Sequence, residues 1–88
     1  MNEKLYQVTR ENSFVKGLTK MPEIYHPAIE ELIGQLEVNP FTVAEKNLSG
    51  VHKGYIKRIG GWRVIYIVDK NSKIVKLVKV APRKNAYK

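Results

Sequence analysis

The chain predicts an α+β domain of order β-α-α-β-β-β, with an antiparallel sheet packed on a helical hairpin. Three observations lead there. Between Phe14 and Leu36 apolar residues recur at helical spacing. From Tyr55 onward the pattern is that of strands. A Gly60-Gly61 pair separates Ile59 from Trp62, where a two-residue hairpin turn belongs.

Each element follows from its residues. Leu5 to Thr9 combines aromatic and β-branched side chains and predicts a first strand. Glu11, Asn12 and Ser13 offer caps to a helix that carries Phe14, Val15 and Leu18 and runs to about Lys20. Met21-Pro22 ends it. A second helix presents Ile29, Leu32, Ile33 and Leu36 on one face and Glu30, Glu31 and Glu37 outside, with Pro27 in its first turn. Asn39-Pro40 ends that helix. Strands then run from Tyr55 to Ile59, Trp62 to Val68 and Ile74 to Ala81, with a turn over residues 69–72 and Pro82 as the stop.

Eighty-eight residues suffice for one domain, expected over residues 1–88. Without cysteine there is no disulfide scaffold, thiolate zinc site or cysteine nucleophile. The longest apolar run, Val64 to Val68, is far short of the ~20 residues that span a bilayer. The first residues lack the apolar stretch of a secretory signal, so the expected location is cytoplasmic.

The net charge is +8, and it is unevenly placed. Residues 1–50 hold five Lys or Arg and seven acids, whereas residues 51–88 hold eleven and one, the single acid being Asp69. Such one-sided charge is the footprint of a polyanion partner, nucleic acid foremost.

The glycine turn sets a register of Ile59 opposite Trp62, Arg58 opposite Arg63, Lys57 opposite Val64 and Ile56 opposite Ile65. A second turn centred near Asn71 places Val64 opposite Val78 and Arg63 opposite Lys79. Trp62, Val64, Tyr66, Val68, Val78 and Val80 then form the apolar face under the helices. Arg58, Arg63 and Lys79 share the other face with Ile65, Ile67, Val75 and Leu77, and Arg83 continues its parity. Like charges directly opposite cost up to ~1 kcal/mol per pair, which a bound anion would offset. Tyr55, Tyr66 and Tyr87 lie among these cations, where aromatics can stack on bases, although Tyr66 and Trp62 fit the core better. The four apolar residues on the cationic face form a patch that a protein partner would cover.

The run Tyr55-Ile56-Lys57-Arg58-Ile59-Gly60-Gly61-Trp62-Arg63-Val64-Ile65-Tyr66 resembles the central hairpin of RelE/ParE-superfamily toxins. Leu48-Ser49-Gly50 resembles the segment before that hairpin. Lys79-Val80-Ala81-Pro82-Arg83-Lys84-Asn85-Ala86-Tyr87 resembles the C-terminal strand and tail, closest to the archaeal RelE branch. The resemblance spans nearly the whole chain and implies a RelE-like toxin fold. It further implies cleavage of mRNA in the ribosomal A site, by metal-independent attack of a 2′-hydroxyl on the adjacent phosphodiester. No cofactor is implied. The implied partners are mRNA on the ribosome and a mostly helical antitoxin.

The resemblance carries over Arg58, Arg63, Arg83 and Tyr87; the expected catalytic set is Arg63, Arg83 and Tyr87, and the expected RNA-binding set is Arg58, Lys57, Lys53, Lys79 and Lys84. Departures from the family pattern are Ile56 for a first basic residue, Gly61 for Asp, Pro82 for His and Asn47 for Lys. With no His at position 82, Tyr87 and His52 are the candidate general bases, while His26 reads as structural. The acid-poor basic half argues against a two-metal site. Ribosomal positioning would supply much of the rate, so free RNA should be cut little. Two other readings share the fold: a ParE-like inhibitor of DNA gyrase, and a non-catalytic basic RNA-binding module.

Overall fold

The computed structural model describes residues 5–44, 46–48 and 54–82. Strand β1 (Gln7–Arg10) leads into helix α1 (Asn12–Lys20). A turn of 3-10 helix (Glu23–Tyr25) precedes helix α2 (His26–Val38). Strands β2 (Lys46–Leu48), β3 (Gly54–Ile59), β4 (Trp62–Asp69) and β5 (Ile74–Pro82) follow. The five strands form one sheet in the order β1-β5-β4-β3-β2.

The α+β class and the helical hairpin agree with the sequence, and the sheet adds two features. Strand β2 is a short edge strand, antiparallel to β3, where no strand was expected. Strand β1 joins the opposite edge parallel to β5, while every other pairing is antiparallel. The entry to β1 is tied by backbone bonds. The N–H groups of Leu5 and Tyr6 donate to the Glu37 carbonyl at 2.8 and 3.0 Å, and that of Gln7 to the Lys73 carbonyl at 2.9 Å.

Both helices cover one face of the sheet. Phe14, Met21, Ile29, Leu32 and Leu36 are buried against Val64, Tyr66, Val75, Leu77 and Val80. Close approach of α1 to β5 depends on Gly17, where an added Cβ would lie 2.1 Å from the Val80 carbonyl oxygen. Pro27 stands in the first turn of α2, as expected. Position Glu11 caps α1 through its backbone geometry, with no side-chain cap bond. Ser13, one of the expected caps, instead donates its hydroxyl to the Val78 carbonyl.

The β3–β4 register is the one the glycine turn predicts, from Ile59 opposite Trp62 to Ile56 opposite Ile65. Gly60 alone of the pair has positive φ (60°), as at the first central position of a type II′ turn. The β4–β5 register differs from expectation. Val64 faces Val80 rather than Val78, and Arg63 faces Ala81 rather than Lys79. Lys79 faces Ile65, and the next pair is Tyr66 with Leu77, so Val78 is an extra residue on β5. This β-bulge shifts the alternation of the strand. Val75 and Leu77 therefore point into the core, fully buried, and the four-residue apolar patch expected on the far face does not exist. Only Ile65 and Ile67 of that group remain there, half-buried.

Candidate nucleic-acid interface

The face of the sheet away from the helices is organised in rows of directly opposed residues. Arg58, Arg63 and Ala81 make one row, Ile56, Ile65 and Lys79 the next, and Gly54, Ile67 and Lys76 the third. Thr9 of β1 stands beside Lys76. The opposed pair Arg58–Arg63 is thus as expected, and Lys79 shares its face one row along. Arg63 is only 6% exposed, whereas Arg58 lies open to solvent. Among the described residues no buried side-chain nitrogen or oxygen lacks a hydrogen-bond partner, so the burial of Arg63 leaves no orphaned donor. A guanidinium in a partly dry setting acts on an anion more strongly than one in bulk water.

Lys57 does not belong to this surface. It pairs with Val64 on the helix side and lines a groove with Glu31, Gly34, Gln35 and Val38 of α2. Tyr55 and Tyr66 also lie on the helix side, opposite one another. Their rings stack with centroids 5.4 Å apart, and Phe41 meets Tyr55 edge-on at 6.1 Å and Tyr6 at 6.0 Å. The Tyr66 hydroxyl donates to the buried Pro40 carbonyl at 3.0 Å. Burial, and then the neighbouring Tyr55, push its pKa above the ordinary tyrosine value. Tyr66 is a core residue, and Tyr55 is not presented to bases on the cationic face. His26 is structural, its Nε2 donating to the Met21 carbonyl at 3.1 Å.

Lys53, His52, Arg83, Lys84 and Tyr87 lie outside the described residues. Lys76, on the other hand, joins the cationic face without having been expected there. Alternation could not have found it, because residues 74–81 read as apolar pairs separated by Lys76 and Lys79 rather than as an alternating strand. Asp69, at the end of β4, accepts from the N–H groups of Asn71 and Ser72 at 3.0 and 3.2 Å. The hydrogen bonds from Ser72 come first, with those of Asn71 and the charge of Lys76 adding to them, in holding its carboxyl below the ordinary carboxylate range. Among the described residues no three His, Asp or Glu side chains gather as metal ligands, and no helix is long and apolar enough to cross a membrane.

A sheet covered by two helices on one face is a fold this chain shares with solved toxins. It is similar to the toxin of the archaeal RelE–RelB complex from Pyrococcus horikoshii, with 30% identity and a TM-score of 0.79 over 93% of this chain and 99% of that one. It matches the fold of an arginine-substituted Escherichia coli RelE in the free state, at 16% identity and a TM-score of 0.77 over 94% and 88% of the two chains. In sequence it is 34% identical over 77 residues to RelE1 of Methanocaldococcus jannaschii, covering 84% of this chain and 86% of that protein. Residues 8–87 match the family described as the ParE toxin of type II toxin–antitoxin systems. The chain belongs to this RelE/ParE toxin family, and it is the toxin of a toxin–antitoxin pair.

Proposed function

We propose that this toxin is a ribosome-dependent mRNA endonuclease that works in the cytoplasm and is held inactive by a mostly helical antitoxin. The observation that carries the reading is the opposed Arg58–Arg63 pair, with Lys79 one row away, on a chain 34% identical to a RelE toxin. That several RelE relatives were solved bound to RelB supports the antitoxin.

In the proposed reaction the 2′-hydroxyl attacks the adjacent phosphorus. A P–O2′ bond forms, the P–O5′ bond breaks, the 2′ proton goes to a base and the leaving O5′ takes up a proton. The charge that grows on the phosphoryl oxygens is met by Arg63 and Arg58. Arg83 adds a third guanidinium, and Tyr87 acts at the scissile nucleotide as stacking partner or base. Guanidinium groups supply this charge without a metal ion. The ribosome contributes the in-line geometry.

Primer extension on mRNA held in programmed ribosomes tests the reading, with a gyrase supercoiling assay run on the same protein. Cuts at the A site with supercoiling untouched are expected, together with a loss of ~100-fold or more in Arg83→Ala. Inhibited supercoiling without cuts would instead favour a ParE-like action. Binding to RNA without cuts would favour a non-catalytic module.

A further inference from the structure

The Val78 bulge has a chemical effect. Lys76 and Lys79 are three residues apart, and on a regular strand they would point to opposite faces. The extra residue between them turns both toward the cationic face, opposite Ile67 and Ile65. The bulge is held from outside the strand, since Ser13 at the start of α1 donates to the Val78 carbonyl and the Glu11 N–H donates to the Leu77 carbonyl at 2.9 Å. Cations consequently stand on three successive rows: Arg58 and Arg63, then Lys79, then Lys76. Adjacent rows are two residues apart, or ~7 Å along the strands. Between the cations the floor is apolar, formed by Ile65 and Ile67. Lys76 is exposed, and two acids, Asp69 and Glu11, line the same cavity, with Asp69 Oδ1 also accepting from two backbone N–H groups.

We propose that Lys76 is a phosphate-binding residue for single-stranded RNA, two rows from the Arg58–Arg63 pair, and that the bulge exists in this fold to present it. The inference rests on the proposed function, because it takes the strand that the arginines engage and extends its backbone along β5. A row of separated cations over an apolar floor tracks a single strand's backbone without reading its sequence.

The test is fluorescence anisotropy with a short single-stranded RNA oligonucleotide over a series of KCl concentrations. Wild type is compared with Lys76→Ala, Lys76→Arg and Lys20→Ala, whose lysine is exposed at the end of α1. Cleavage by wild type on programmed ribosomes is measured in parallel. Loss of one phosphate contact lowers the slope of log affinity against log salt by ~0.7. Lys76→Ala should show that loss, while Lys76→Arg and Lys20→Ala keep the wild-type slope. An unchanged slope in Lys76→Ala, or an equal loss in Lys20→Ala, overturns the contact, and wild-type cleavage would then leave the proposed function standing. Wild type that neither binds nor cleaves overturns both.

Discussion

The two faces of the sheet are made by the same strands and held in opposite ways. On the inner face each side chain has a partner that it must fit: Val64, Tyr66, Val75, Leu77 and Val80 are closed under two helices. On the outer face the rows are cationic at β3, β4 and β5, and Arg58 and Arg63 oppose each other directly. Burial of apolar area pays for the first arrangement. The second is kept in spite of like-charge repulsion. On the proposed function, stability and RNA chemistry are divided by face, so substitutions a single residue apart on β5 should have unlike consequences.

The largest expected effect is at Leu77. Leu77→Ala should cost ~2–5 kcal/mol of stability by removing fully buried methyl groups, whereas Lys76→Ala beside it should stay within ~0.5 kcal/mol. Urea titration of both variants checks this, and equal costs would break the division by face. The two helices allow a sharper form of the same comparison. Gly17→Ala drives a Cβ into the Val80 carbonyl and should destabilise by ~1–3 kcal/mol. Gly34→Ala meets nothing within 4 Å and should stabilise by up to ~1 kcal/mol, because Ala is the better helix former. Thermal melts of the two variants should move in opposite directions.

Smaller again is Tyr66→Phe, which keeps the ring but leaves the Pro40 carbonyl without its donor, a loss of ~1 kcal/mol measurable by denaturant titration. The smallest effect is at the β4–β5 turn. Asp69 has a lowered pKa in the folded state, so its contribution is complete above the ordinary carboxyl value of ~4 and is lost as pH falls through the lowered one. The difference in melting temperature between wild type and Asp69→Ala should therefore shrink in acid.

Much of this division could be read from the sequence, and where it could not the reasons are physical. The β3–β4 register was legible because a two-residue glycine turn leaves no slack, and Arg58 opposite Arg63 followed from it. The β4–β5 register was not, because a longer turn and a bulge each shift the count. The bulge turns Val75 and Leu77 inward and Lys76 onto the cationic face, against the parity a regular strand predicts. Strand β2 has no local signature, because Lys46-Asn47-Leu48 lacks β-branched and aromatic residues and owes its conformation to pairing with β3. The parallel seating of β1 is a tertiary choice that local pattern does not encode. Lys57 has the opposite parity to Arg58, as the register predicts, and stands on the helix side beside α2 rather than on the face of the RNA contacts that the resemblance implies.

The proposed function assigns chemistry on RNA to the outer face and leaves the inner face only to hold the fold. Its most direct test is the single-turnover cleavage rate of Arg63→Gln on programmed ribosomes, taken with a thermal melt of the same preparation. A fall of ~100-fold in rate with the protein still folded is the predicted result. A folded variant that cuts at the wild-type rate would contradict the claim.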